Sequence, residues 1–231
     1  MQITFLTYNI RNCRGVDGKV SLGRTAETIA RTGAVVAGLQ EVDRYNPRSC
    51  FADQARKLGK MLQMHAVFGP NINPLGLIGF GNAVLSVYPV RAWYNYQLPR
   101  EGEKRGLLRK EICAGPLGFA FYNTHLGLDE NERLRQVDEI ISVVGAEKLP
   151  LVLAGDFNAP PDAPEIRAIA GILPPDKQLD PLPTFPSVRP EHKIDYIFYS
   201  RHWRLVEQNV FDSQASDHLP LAAKLQLVPA E

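Results

Sequence analysis

The chain is poor in cysteine, in net charge and in long apolar runs, and each shortage removes a class of protein. Cys13, Cys50 and Cys113 are its only cysteines. They are widely spaced and odd in number, whereas a disulfide framework wants an even set and a zinc site wants close pairs. All three read as reduced thiols of a reducing compartment, so a cytoplasmic location is expected. Lys and Arg total 26 against 25 for Asp and Glu, a formal net charge of +1. The basic excess usual in proteins that live on long nucleic acid is absent from that sum. No apolar run approaches the roughly 20 residues of a membrane span. The opening Met-Gln-Ile-Thr-Phe-Leu-Thr-Tyr-Asn lacks the cationic and long apolar regions of a secretory signal.

What is present suits a globular chain. Hydrophobic residues make up 45% of 231 and charged residues 22%, enough for a sizeable core and against dominant disorder. Ile3 to Ile10 alternates as a strand. Leu22 to Arg31 carries Leu22, Ala26, Ile29 and Ala30 at helical spacing, with Gly33 as a stop. Ala34 to Leu39 is a short apolar run ending in Gln40-Glu41, and Phe51 to Met64 has a helical period. Segments 66–69, 82–88, 91–98, 106–113 and 117–124 read as strands between Gly- and Pro-bearing turns. Asp129 to Ala146 reads as an amphipathic helix, 149–154 as a buried strand and 163–171 as a short helix. Segments 193–200, 203–211 and 219–227 read as closing strands. The Pro-rich stretch 174–190 is a linker or a long surface loop, and the roughly 40 residues beyond it are too few for a domain of their own. One domain over 1–231, monomeric, is the expectation.

The order hints at duplication. Strand, helix, strand ends in Tyr8-Asn9 and Gln40-Glu41 in the first half. The second half ends in Asn123-Thr124-His125 and Gly155-Asp156-Phe157-Asn158. Four apolar strands finishing in residues that bind metals or protons point to one shared edge, where α/β sheets place their sites. Short strands and few helices favour two packed sheets flanked by helices.

Alternation puts Asp156 and Asn158 on one side of the chain, with Phe157 turned back to the core. The pair suits one phosphate or one ion, although a turn after a strand would look the same. Asp195 lies in Lys193-Ile194-Asp195-Tyr196-Ile197-Phe198, and a carboxylate in so apolar a strand is costly unless paired. His218, in Ser216-Asp217-His218, is the natural partner, because a carboxylate would fix its tautomer and raise its basicity. A surface Asp on an edge strand and a satisfied surface His are the alternatives. A Ser-His-Asp hydrolase is disfavoured, since the chain has no Gly-x-Ser-x-Gly elbow. Oxygen donors Glu41, Asp156, Asn158 and Asp217 favour a hard ion, Mg²⁺ with Mn²⁺ as a substitute, over zinc. A lone Glu such as Glu41 is otherwise more often solvated. The basic run Arg100, Lys104, Arg105, Arg109 and Lys110 is of the kind that usually forms a solvated face. Within it Arg105 is the candidate phosphate contact.

Together these segments resemble the endonuclease/exonuclease/phosphatase superfamily, which includes deoxyribonuclease I, AP endonucleases, inositol polyphosphate 5-phosphatases, neutral sphingomyelinases and deadenylases. The markers are Thr7-Tyr8-Asn9-Ile10, Leu39-Gln40-Glu41-Val42-Asp43-Arg44, Gly81-Asn82-Ala83-Val84-Leu85-Ser86, Asn123-Thr124-His125-Leu126, Gly155-Asp156-Phe157-Asn158, Asp195-Tyr196 and Ser216-Asp217-His218. The resemblance implies a DNase I-like, four-layer αββα sandwich. It makes Glu41 the principal Mg²⁺ ligand, assisted by Asn9 and Asp217. Asp156 and Asn158 would orient the water or the phosphate, and His125 would donate to a phosphate oxygen. Asp195 and His218 would form the acid/base pair that activates water, and Asn82 joins Arg105 as a candidate contact to the substrate phosphate.

Departures bear on substrate. Many DNA-repair members carry an Asp two residues after the Asn of the first motif, where this chain has Arg11. The Gln-Glu-Val-Asp-Arg motif, with Glu132-Arg133 and Gln136 after Thr-His-Leu, is more similar to the sphingomyelinase-like and bacterial phosphodiesterase branches. Those branches often place Arg after Leu-Ser, where this chain has Val87. The expected activity is therefore Mg²⁺-dependent hydrolysis of a phosphate ester, chiefly a diester, by in-line attack of a His-activated water. Lipid head groups, nucleotides and nucleic acid are the substrate classes in view. An endo- or exonuclease on the same fold is the alternative, and a binding protein that has lost catalysis is a further one. The Gly-rich apolar loop Leu75 to Gly81 near the mouth suits a lipid, an aromatic base or simply a packed hairpin.

Overall fold

Alternation along the strands decides which side chains face which layer. The structure, a computed structural model, describes residues 1–73, 76–115, 117–174 and 182–228. The first half runs β1 (Gln2–Asn9), α1 (Leu22–Arg31), β2 (Val36–Arg44), α2 (Gln54–Leu62), β3 (His65–Ile72) and β4 (Gly79–Ser86). There follow β5 (Val90–Gln97), β6 (Gly106–Ala114), β7 (Leu117–His125), α3 (Glu130–Gly145), β8 (Leu151–Asp156), α4 (Pro164–Ile172), β9 (Asp195–Tyr199), β10 (Trp203–Val210) and β11 (Leu221–Leu227). Six strands form one sheet in the order β10-β11-β1-β2-β4-β3, and five form a second in the order β5-β6-β7-β8-β9. Among the described residues no helix is long and apolar enough to cross a membrane.

Between the sheets, Phe5 of β1 stacks on Phe121 of β7 at 5.8 Å and meets Phe119 and Trp203 edge-on. Ile3, Val36, Val84, Val152 and Ile197 fill the same layer. The alternate residues Leu6, Tyr8, Leu39 and Leu85 face outward, onto Ala26 and Ile29 of α1 and Ala55 and Leu58 of α2. On the opposite outer face Tyr122, Leu153 and Phe198 bury against Val137 and Ile140 of α3 and Ile166 and Ile169 of α4. The result is the four-layer αββα sandwich. Helix starts are set by side chains: Ser21, Asp53 and Asp129 each accept a backbone N–H three residues on, and Pro164 opens α4.

The duplicated pattern is present in the topology. β1 and β2 are parallel, pairing Asn9 with Gln40, and β7 and β8 are parallel, pairing His125 with Asp156. Each pair is flanked by antiparallel strands, β11 and β4 in one sheet, β6 and β9 in the other. A parallel pair needs a crossover, which α1 and α3 supply. Both crossovers leave the carboxyl ends of the four central strands at one edge.

Three segments differ from their sequence reading. The strand expected over 34–39 runs to Arg44, because Val42, Asp43 and Arg44 go on pairing with Gly81, Phe80 and Gly79 after a bulge. Glu41 sits in that bulge at φ 55°, and the irregularity re-aims its side chain. The helix expected over 51–64 is confined to Gln54–Leu62, since Cys50 and Phe51 have left-handed φ and Asp53 caps the helix. In the Pro-rich stretch, residues 175–181 lie outside the described residues. Its later part folds back on the body: Thr184 N–H donates to the His192 carbonyl at 2.8 Å and Leu219 N–H to the Thr184 carbonyl at 2.7 Å.

The basic run does not stay a solvated face. Lys110 lies between Leu108 and Ile112 on the inward side of β6 and is fully buried. Its Nζ lies 3.4 and 3.5 Å from the carbonyls of His65 and Val84. Burial lowers its pKa to about 7. The unfolded chain holds that proton up to about pH 10.4, so the folded state binds fewer protons between the two values and stability rises with pH across that window. We expect Lys110→Met to raise the melting temperature below about pH 7 and the gain to shrink toward about pH 10. Thermal melts showing an equal gain at both ends would refute this account.

Candidate active site

Asp156 is the hub of the strand ends. Its Oδ2 accepts from Asn9 Nδ2 at 3.0 Å and faces His125 Nε2 at 3.5 Å and His218 Nε2 at 3.6 Å. Its Oδ1 accepts the backbone N–H of Asn158 at 3.0 Å, in a turn where Asn158 has φ 50°. Asn9 also donates to Glu41 Oε1 at 3.1 Å, while its Oδ1 accepts the Arg11 N–H. That acceptor role orients the amide, so Asn9 presents a donor, not a lone pair, to the two carboxylates.

On the other side His218 Nδ1 lies 2.9 Å from Asp195 Oδ2, which also accepts from Thr184 Oγ1 at 2.6 Å. Asp195 Oδ1 is buried and has no partner among the described residues. Asp156, Asp195 and His218 offer atoms within 4.8 Å of one another. Asp217 stands at the rim, ion-paired to Arg11 at 3.2 Å. Ser216 Oγ donates to the Asn9 carbonyl at 2.7 Å and accepts the His218 N–H at 3.3 Å, pinning this loop to the end of β1.

The neighbours drive the two histidines apart. Burial lowers the pKa of His125 to about 3, with Arg105 acting in the same direction and Asp156 against it. Burial also opposes a charge on His218, but Asp195 and Asp156 outweigh it and lift its pKa to about 10. Glu41 is raised by burial and by the like charges of Asp217 and Asp156.

Beneath the cluster, Gln40 Nε2 donates to Asn123 Oδ1 at 2.6 Å, and Asn123 Nδ2 donates to the carbonyls of Leu39 and Ala83 at 2.9 Å each. These bonds cross from one sheet to the other. A side chain at Gly38 would meet Asn123 at 2.9 Å, so only glycine leaves room for the crossing.

Glu41, Asn9, Asp217, Asp156, Asn158, His125, Asp195 and His218 are thus brought to one edge. Asn158 turns its amide to the Leu126 carbonyl at 3.0 Å. Asn82 is buried and donates to the Gly106 carbonyl at 3.0 Å. Arg105 is buried, with Nη1 2.9 Å from Glu103 and 3.2 Å from His125 Nδ1. Sequence reasoning missed Thr184 and the Phe185 ring, 4.9 Å from that of His218. Both lie in the Pro-rich stretch, where local pattern carries no sign of a return to the site.

A four-layer αββα sandwich with carboxylates, an amide and two histidines at one strand edge defines a class of hydrolases that act on phosphate esters. The sequence model of the Endonuclease/Exonuclease/phosphatase family matches residues 6–218, and the chain belongs to that family. It is 31% identical over 172 residues to the uncharacterized protein YbhP of Escherichia coli K12, spanning 64% of this chain and 63% of YbhP's own length. A family structure from Beutenbergia cavernae superposes with a TM-score of 0.87 at 25% identity, covering 99% of this chain and 72% of that one. The fold is also that of the Bacteroides thetaiotaomicron mannosyl-6-phosphatase Bt3783 (TM-score 0.79, 19% identity, 97% and 100% covered).

Arg105 can only donate, so His125 Nδ1 must accept and the ring proton belongs on Nε2, facing the centre. Nitrogen-15 NMR of labelled histidine is expected to show His125 as the Nε2–H tautomer in the wild type and as a tautomer mixture in Arg105→Met. A wild-type ring protonated on Nδ1 would contradict the contact.

Proposed function

We propose that the chain is a metal-dependent phosphodiesterase whose acid/base pair is His218 and Asp195. The observation that carries the reading is the approach of Asp195, His218 and Asp156 opposite Glu41 across a single amide donor. Four carboxylates, Glu41, Asp156, Asp195 and Asp217, stand against the cations Arg11 and His218, which leaves a surplus of negative charge, and Asp195 keeps an orphaned oxygen. Such an all-oxygen surplus fits a hard divalent cation, Mg²⁺ with Mn²⁺ as a substitute.

Glu41 and Asp217 would hold that cation, with Asn9 fixing the carboxylate of Glu41. When bound, it would neutralise developing charge on phosphoryl and leaving oxygens and ease the proton from His218. His218, with Nδ1 held by Asp195, would take the proton of an attacking water on Nε2. Asp156 and Asn158 would orient that water or the phosphate. His125, neutral, would donate from Nε2 to a non-bridging oxygen, a preorganised contact of the kind that contributes most.

The cations favour a diester. Arg11 is paired with Asp217 and Arg105 with Glu103, which leaves neither as a free clamp for a dianionic monoester. Nucleic acid remains within this chemistry as one kind of diester, and a lipid head group as another. On this reading the protein works in the cytoplasm as a monomer, with residues 1–231 forming one domain.

Hydrolysis of bis-p-nitrophenyl phosphate should require Mg²⁺ and stop on addition of EDTA. His218→Ala and Asp156→Ala should each lower kcat by on the order of 10²–10⁴, the range for one acid/base or electrostatic group. Turnover at the wild-type rate in both variants, or rates indifferent to EDTA, would overturn the reading.

A further inference from the structure

Beside the cluster lies a small recess that none of these roles uses. It has a volume of about 230 Å³ and is lined chiefly by Arg48, Ile72, Ile78, Phe80 and Glu103. Two chains of contacts join it to the reaction centre. Glu103 holds Arg105 at 2.9 Å, and Arg105 touches His125 at 3.2 Å. From the other wall Arg48 donates to Asn12 Oδ1 at 2.6 Å, and the residue before Asn12 is the Arg11 that pairs with Asp217.

The walls select for shape and against charge. Arg48 is gripped by Asp43 through two bonds of 2.9 Å, so its charge is matched and its plane is fixed. Its Cζ lies 4.9 Å from the centre of the Phe80 ring, so guanidinium and aromatic carbon stand side by side on one wall. Glu103 is likewise matched by Arg105. Ile72, Ile78 and Phe80 are each half-buried and supply the remaining apolar surface. A second phosphate or carboxylate would enter without a free cationic partner, because both charged walls are already paired, whereas a neutral ring needs none.

Size narrows the choice further. The recess lies below the ~300–1,000 Å³ of pockets that enclose a whole ligand and has room for about eight waters. A long acyl chain does not fit, whereas one ring does. Stacking on aromatic and guanidinium faces is tolerant of ring identity, because every such ring has a π-face.

We infer that this recess receives one neutral planar ring of the substrate, an aryl group or a nucleobase, on the alcohol side of the scissile phosphate. The inference rests on the phosphodiesterase reading and names the substrate class for it. The apolar loop before Phe80 would then serve the ring and not a lipid tail; Leu75 of that loop lies outside the described residues.

Competition against bis-p-nitrophenyl phosphate hydrolysis in Mg²⁺ by dimethyl phosphate, methyl octyl phosphate, methyl phenyl phosphate and thymidine 5′-(methyl phosphate) tests it. The phenyl and thymidine diesters should compete about tenfold more tightly than the dimethyl and octyl diesters. The tighter of the two identifies the ring as aryl or nucleobase. Phe80→Ala should abolish the preference, and Ile78→Ser, a milder change at the same wall, should reduce it. Phosphate esters bound with no preference for a ring, tightest binding of the octyl ester, or a preference unaltered in both variants would overturn the inference alone. No competition by any of the four esters while bis-p-nitrophenyl phosphate is still turned over would also overturn the inference, and no turnover of bis-p-nitrophenyl phosphate would sink the phosphodiesterase reading itself.

Discussion

The bond from Gln40 to Asn123 fixes how the two parallel strand pairs face each other. Each pair alone presents two strand ends; a centre forms only when the ends of β1 and β2 meet those of β7 and β8 at a set offset. Aromatic packing between the sheets is strong but slides easily, since hydrophobic contact has no direction. The Gln40–Asn123 bond and the two from Asn123 to Leu39 and Ala83 do have direction. Breaking any of them strands a buried donor or acceptor at about 1–3 kcal/mol. A shift of the sheets by one residue would break all three at once, and Gly38 is the opening through which the amide reaches.

Above that clamp the charge arrangement follows from burial. Four carboxylates share one edge, and Asp156 touches both histidines and Asn9 through a single oxygen. Burial lowers the proton affinity of both histidines, and it prevails at His125 but not at His218 because of what stands behind each ring. His218 has Asp195 and Thr184 at its back; His125 has Arg105. A carboxylate behind a ring draws protons to it, and a guanidinium repels them. On the proposed mechanism this divergence separates the proton acceptor from the hydrogen-bond donor.

Much of this was legible in the residues because the strands carry strong period-two patterns and the site sits at their ends. The pairing of Asp195 with His218 followed from the cost of a carboxylate in an apolar strand. Two kinds of feature were not legible. Glu41 reaches the centre through a bulge, and a bulge leaves no mark on alternation beyond one residue out of phase. Thr184, Phe185 and the Asn123 clamp depend on long-range contact, 11 to 84 residues away in sequence, which no local window contains. Lys110 misled for the opposite reason: in a basic run it looks solvated, yet the pleat turns it inward with Leu108 and Ile112.

The arginines around the centre bear on the substrate as much as the carboxylates do. Arg11, Arg48 and Arg105 all stand within one or two contacts of the cluster, and each is matched by an acid, Asp217, Asp43 or Glu103. A site built for a dianion or for a polyphosphate would leave such groups unpaired, because a free guanidinium grips phosphate in bidentate fashion. Here the pairs cancel and their planes remain. What they offer a substrate is orientation and flat surface, with Arg48 beside Phe80 as the clearest instance. On the proposed reading, attraction for the single phosphate charge then comes from the cation at the carboxylates, and discrimination among esters comes from the neutral recess beside it.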